Sequence, residues 1–326
     1  MTRSTKLVFS FLMLFILSLN SNGQVPDPAL IGYWHNWNTI IAAYVPLDSV
    51  DSRYNVINVA FAVPKTGTIC DMEFVPYKVN QSTFKAQVDT VRSQGRKVLI
   101  SIGGGGTLVE LKDTNQRKVF VSSVLKIIDT YGFDGIDIDL ESGSVTVSGG
   151  TIANPVDSKI INLISAIKQI SSEYRNKYGR KMMLTMAPET AGVTGGMSKY
   201  EGEWGAYLPV IDALRDSIDI LHMQLYNSGT MYGIDGKIYT QGTVDFLISQ
   251  TDAVLRGFDT DGGHFAGLKP EQIAIGMPAC VSAAEGGYMN LISVKWSILY
   301  LLGKSQQPGE YSLDYKYPTL RGMMTW

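Results

Sequence analysis

Apolar residues recur along this chain in two alternating rhythms. Short runs rich in β-branched residues are separated by longer stretches with an apolar residue at every third or fourth position. The short runs are LIGYWHNW (30–37), VINVAFAV (56–63), KVLISIGG (97–104), FDGIDIDLE (133–141), KMMLTMAPE (181–189), DILHMQLYN (219–227), IAIGMPAC (273–280) and LRGMMTW (320–326). Between them, segments such as 115–131, 158–179 and 244–258 carry helical spacing. Strands that alternate with helices predict parallel βα units. Eight such units in about 300 residues predict a closed (β/α)8 TIM barrel, one α/β domain running from residue 24 to 326. An open doubly wound sheet is the competing layout, but no Gly-x-Gly-x-x-Gly turn follows the first strand. No linker, low-complexity tract or charge run divides the chain.

A barrel of this kind carries its chemistry where the strands end. Polar and aromatic residues gather at those ends: Tyr33, Trp34, His35 and Trp37 at the first, Ser101 and its glycines at the third, Glu189 at the fifth. The sixth ends in Gln224, Tyr226 and Asn227, and the eighth in Trp326. The fourth strand is the unusual one. Side chains alternate faces along a strand, so Ile136, Ile138 and Leu140 share one face while Asp137, Asp139 and Glu141 share the other. Successive acids on that face stand about 6.6 Å apart along the chain, at roughly 3.3 Å per residue. A buried ladder of like charges pushes at least one carboxyl towards its protonated form, and such ladders persist mainly where they carry out chemistry. Asp134 is out of phase with the other three and reads as structural.

Composition narrows the function without deciding it. The 326 residues are 45% hydrophobic and 18% charged, with a formal net charge of −2. Nothing is basic enough for a nucleic-acid partner. The first residues depart from this profile: Arg3 and Lys6 precede the apolar run LVFSFLMLFILSL, too short for a bilayer, and then the polar NSNGQ. That order predicts a signal peptide over residues 1–23 and a secreted protein, extracellular or periplasmic, with no membrane attachment once the leader is cleaved. Without the leader, 26 basic residues face 30 acidic ones. Cys70 and Cys280 could pair, but they fall after the second and seventh strands, far apart in this architecture, so free thiols are expected. His35, His222 and His264 show no metal-ligand spacing, and Trp296 in LISVKWSILYLL reads as packing.

The motif Asp134-Gly135-x-Asp137-x-Asp139-x-Glu141, preceded about 30 residues earlier by Ser101-x-Gly103-Gly104, resembles the family-18 glycoside hydrolases, the chitinases and their relatives. The likeness covers the whole chain beyond the leader, because every strand can be set against the family pattern. It implies that Glu141 is the general acid, that Asp139 orients the substrate's N-acetyl group, and that Asp137 shares a proton or hydrogen bond with Asp139. Tyr33 and Ser101 would lie beneath Asp137. Tyr226 would bond the acetamido oxygen, and Trp326 would floor the sugar at the cleaved bond. Phe61, Gly103, Gly104, Met186, Gln224 and Asn227 would complete the binding site. The implied partner is chitin or N-acetylglucosamine oligosaccharides, bound by a monomer without cofactor or metal.

The residues agree with this chemistry independently. Most glycosidases need two carboxylates about 5 to 9.5 Å apart, whereas here three acids crowd one strand. Substrate-assisted cleavage resolves the conflict, since the sugar's own acetamide then serves as nucleophile and configuration is retained. Other readings stay open. The acids could hold a hard cation, although their spacing differs from the calcium-loop pattern. IGGGG (102–106) lacks the Lys-Ser/Thr of a phosphate loop, and its glycines let the backbone turn or pass close to a sugar. An endo-β-N-acetylglucosaminidase acting on N-glycan cores, or a non-catalytic chitin-binding lectin, would use the same barrel. Two features depart from many chitinases. The sixth strand ends in QLYN rather than Met-x-Tyr-Asp, resembling the plant-type and short bacterial branches. The 281–319 segment is also too short for the additional α+β domain of some members. The last strand runs to Trp326, so the domain is expected to be truncated before its eighth helix.

Overall fold

The computed structural model describes residues 25–326 apart from Ser142. The expected signal peptide lies outside the described residues.

All eight expected strands form. They are β1 (Ala29–His35), β2 (Val56–Pro64), β3 (Lys97–Gly103) and β4 (Gly135–Asp139), then β5 (Met183–Met186), β6 (Ile220–Leu221), β7 (Ala274–Met277) and β8 (Gly322–Thr325). Parallel pairing runs β7-β8-β1-β2-β3-β4-β5-β6. Two isolated parallel bridges, Leu221 to Ile273 and Gln224 to Gly276, bring β6 back against β7 and close the barrel. Six helices follow strands: α1 (Gln81–Ser93), α2 (Thr114–Tyr131), α3 (Ser158–Tyr178), α4 (Leu208–Leu214), α5 (Val244–Arg256) and α6 (Leu291–Leu301). Between β1 and β2 the connection holds only a 3-10 turn at Leu47–Ser49 in place of a full helix.

Local chemistry explains where the helices start and stop. Asp113 accepts hydrogen bonds from the backbone N–H groups of Asn115 and Gln116 ahead of α2, and Gly132 ends that helix in the left-handed conformation. Asn80, Thr243 and Asn290 cap α1, α5 and α6 in the same way. The apolar faces of these helices meet the outward-facing residues of the strands in one continuous shell, which includes Ile100, Ile102, Ile136 and Ile138. A second, smaller cluster fills the barrel itself with Ile31, Leu99, Met183, Ile220 and Met324. Trp296 is not packing: it is 49% exposed on the outer side of α6. Cys70 and Cys280 are free thiols, as expected.

Asp134 ties the lower end of the barrel together. Its carboxylate accepts hydrogen bonds from Arg92 Nε (3.1 Å), Arg180 Nη2 (3.0 Å) and the Val98 backbone N–H (3.1 Å). The inward side chains above that end turn from apolar to polar, and at the carboxyl end of the strands they become the candidate site.

Candidate active site

Register decides which side chains meet. In parallel pairing Ser101 of β3 stands level with Asp137 of β4, and Asp137 stands level with Thr185 of β5. The Asp137 carboxylate therefore receives donors from both sides: Ser101 Oγ at 2.7 Å and Tyr33 Oη at 2.6 Å on Oδ2, Thr185 Oγ1 at 2.6 Å on Oδ1. His222 Nε2 lies 3.3 Å from Oδ1 and 3.4 Å from Asn58 Nδ2. Asp137 is fully enclosed. Burial opposes its charge, yet His222 and the hydroxyl donors outweigh that cost and hold its carboxyl below the usual range.

One step up the strand, Asp139 behaves in the opposite way. Burial, followed by the charges of Glu141 and Asp137, raises its carboxyl well above the ordinary value, which favours its protonated form, hydrogen-bonded to Glu141. Gln224 joins the pair from β6's end. Its Nε2 donates to Asp139 Oδ1 and Glu141 Oε1, each at 2.9 Å, and lies 3.0 Å from the Ala187 carbonyl. With three acceptors around that one atom, the amide is fixed with its NH2 group towards the acids. Glu141 itself is half-buried at the mouth. Tyr226 is buried beside the ladder, its phenol raised by burial and then by the charges of Asp139 and Glu141.

The glycines of β3 make room for these groups. Gly103 sits at φ +113°, and a Cβ there would run into the Asp139 carbonyl. At Gly104 a Cβ would meet the Phe61 ring at 2.7 Å, while the Gly104 N–H donates to the Asp139 carbonyl at 2.7 Å. The space is thus taken by the site's own residues. Opposite the acids stands an aromatic wall. Trp326 lies 5.5 Å from Tyr33, 4.7 Å from His35 and 5.9 Å from Phe61 between ring centroids, and Trp37 stacks on His35 at 4.6 Å. A cavity of about 680 Å³ continues from this wall to the outer side of β1 and β8, where Trp34, Val45, Tyr54 and Thr325 line it.

A family model for the glycosyl hydrolases family 18 matches residues 29–309. The chain belongs to that family. It is 42% identical over 318 residues to chitinase Chi52 of Paenibacillus xylanexedens and 43% identical over 322 residues to chitinase D of Niallia circulans. Those alignments take in 94% and 95% of this chain but 60% of each relative, so the chain spans about three fifths of their length. A crystal structure of a family GH18 chitinase from Chromobacterium violaceum matches with a TM-score of 0.82 at 35% identity, over 94% of this chain and 80% of that one.

Within this family-18 barrel, the structure gathers Tyr33, Phe61, Ser101, Gly103, Gly104, Asp137, Asp139, Glu141, Gln224, Tyr226 and Trp326 around one mouth. Met186 lies elsewhere, and Asn227 has backbone partners of its own. Met186 has no exposure and packs in the shell outside the barrel, because its neighbours Thr185 and Ala187 hold the inward positions. Asn227 uses its Oδ1 to accept the N–H groups of Glu285 (2.9 Å) and Gly286 (3.2 Å), which secures the β7–β8 connection. Asp139 bonds Gln224 and Glu141, where a link to Asp137 was expected. Sequence reasoning missed Thr185, His222 and Asn58 as supports of Asp137. The first two were within reach, since Thr185 and His222 alternate in phase with Glu189 and with Gln224 and Tyr226. Glu189, noted only as a strand end, proves to be a half-buried inward carboxyl. Burial, with Glu141 and Glu203 adding, pushes it up to about 7.

Proposed function

We propose that this family-18 domain hydrolyses β-1,4 linkages between N-acetylglucosamine units of chitin, with Glu141 as general acid and retention of configuration. The observation that carries the reading is the hydrogen-bonded set Asp139–Glu141–Gln224 on one side of the mouth, facing an aromatic wall. Glu141 would protonate the glycosidic oxygen as the bond from that oxygen to the anomeric carbon breaks. The substrate's acetamido oxygen would bond to that carbon in the same step. Asp139 would accept a hydrogen bond from the acetamide N–H and steady the charge that develops there, and Tyr226 would donate to the acetamido oxygen. Water would then add to the anomeric carbon from the opposite face of the leaving acetamide, losing its proton to Glu141. Asp137, ionised and held by its four neighbours, supplies the negative field that favours the cation formed on the sugar. The leader-like start of the sequence supports action outside the cell.

Glu189 gives a second reading, in which a protein carboxylate beside Glu141 attacks the sugar directly. An attacking carboxylate must be ionised, and a group raised to about 7 is largely protonated in acid to neutral solution. That favours the acetamide. The test is hydrolysis of an N-acetylglucosamine hexamer by the parent chain and by Glu141→Gln, with the product anomer read by NMR. The parent should release the β-anomer first, and the variant should lose at least about 100-fold in kcat while still binding the hexamer. Near-parental turnover in the variant, inversion, or equal cleavage of an oligomer lacking the 2-acetamido group would each refute the scheme. Release of sugar from a glycoprotein in preference to the hexamer would move the substrate to N-glycan cores.

A further inference from the structure

We propose that Tyr207 is a positioning residue for this reaction, clamping the Leu140 backbone so that Asp139 and Glu141 keep their mutual spacing. The inference rests on the function proposed above. Leu140 is the one residue between the two acids. The last ladder bond that β5 supplies to this strand runs from the Ala187 N–H to the Ile138 carbonyl at 2.9 Å. Beyond it, the sheet offers Leu140 no strand partner on that side. Tyr207 fills the gap with a single atom: its phenol donates to the Leu140 carbonyl and accepts from the Leu140 N–H, both at 2.9 Å. A phenol oxygen has one hydrogen to give and lone pairs to receive, so one tyrosine can satisfy both backbone groups.

The clamp has a counterpart. On the β3 side the Gly104 N–H holds the Asp139 carbonyl at 2.7 Å, so the Asp139–Leu140 segment is pinned from both flanks. Tyr207 is itself fixed. It is 3% exposed, its backbone N–H donates to the Gly192 carbonyl at 2.9 Å, and its ring packs so closely on Gly192 that a Cβ there would lie 3.1 Å from Cδ2. Burial, followed by the charge of Asp139, keeps the phenol neutral and therefore a donor. Any rotation of the Leu140 peptides swings the two carboxyls relative to each other and breaks the shared contact at Gln224 Nε2, 2.9 Å from each. Tyr207 is buried behind the Leu140 backbone, away from the mouth where a substrate would sit. It acts through the geometry of the two acids.

The experiment compares the parent, Tyr207→Phe and Gly192→Ala on an N-acetylglucosamine hexamer, with thermal unfolding followed in parallel. A positioning role predicts that Tyr207→Phe loses about 10- to 100-fold in kcat while KM stays within about twofold, at a temperature where the variant remains folded. Gly192→Ala keeps the hydroxyl but displaces the ring, and should lower kcat in the same direction by a smaller factor. A lowered melting temperature with kcat unchanged would leave Tyr207 a structural residue and overturn the proposal. If Tyr207→Phe does not fold, Gly192→Ala decides, and parental kcat in that variant overturns it. A parent that cleaves no hexamer would instead sink the proposed function, and this inference with it.

Discussion

Three carboxyls in one barrel mouth are driven in different directions by their surroundings, and each leaves its own mark on stability. Asp137 has a folded value below that of the unfolded chain, about 3.9. Its stabilising contribution is therefore present at neutral pH and lost as pH falls below about 4. Asp139 and Glu189 carry the opposite sign: the fold prefers their protonated forms, so stability is highest in acid and declines as pH rises towards their folded values. For Glu189 that window runs from about 4.3, the unfolded value, to about 7. Glu189→Gln removes the titration. The full shift is worth roughly 4 kcal/mol, but the side chain is partly exposed, and allowing for solvent screening leaves about 1–2 kcal/mol. Urea unfolding should find the variant more stable than the parent by that amount at pH 8, with no gain at pH 4. An equal gain at both pH values would show that charge is not the cause.

At the scale of elements, the decisive fact is how closely β3 and β4 approach at their carboxyl ends. Gly103 sits against the Asp139 carbonyl at φ +113°, whereas Gly106, three residues on at φ +75°, would place a Cβ with nothing within 4 Å. Gly103→Ala combines left-handed backbone strain with a steric clash and should cost roughly 2–4 kcal/mol. Gly106→Ala carries only the strain, roughly 1–2 kcal/mol. Chemical denaturation of both variants measures the difference, and equal losses would mean that the approach of the two strands is not what requires glycine. The same strands show how far sequence reasoning reaches. Short β-branched apolar runs placed all eight strands, and period-two alternation put Asp137, Asp139 and Glu141 on one face, because inward and outward positions in that strand differ sharply in polarity. The family resemblance, not the alternation, misplaced Met186 by one residue: the inward position belongs to Thr185. Tyr207 was out of reach. It enters the site from the start of α4, through backbone contacts to Leu140 that leave no periodic signature. Asn227 resembled a strand-end ligand, and its side-chain oxygen accepts from the 285–286 backbone.

For the whole molecule, the seam between β6 and β7 is where site and stability meet. Among the described residues the bridges Leu221–Ile273 and Gln224–Gly276 close it, and Gln224 is also the residue that joins Asp139 to Glu141. A sugar seated between the acids and the Trp326 wall would contact side chains from β1, β4, β6 and β8 at once, and so resist the opening of that seam. Binding to the folded state alone raises stability by mass action, by about 2.7 kcal/mol at a ligand concentration 100 times Kd. In a domain of this size that corresponds to a rise of about 3–5 °C in Tm. Glu141→Gln, which should bind without turning over, is the form in which to measure it. An N-acetylglucosamine hexamer should raise its Tm by that amount, and a glucose hexamer of equal length should raise it far less, because in the proposed reaction the bound state includes an acetamide held by Asp139 and Tyr226. Equal shifts from the two sugars would mean that the aromatic wall alone does the binding and that the acid ladder does not recognise the acetamide.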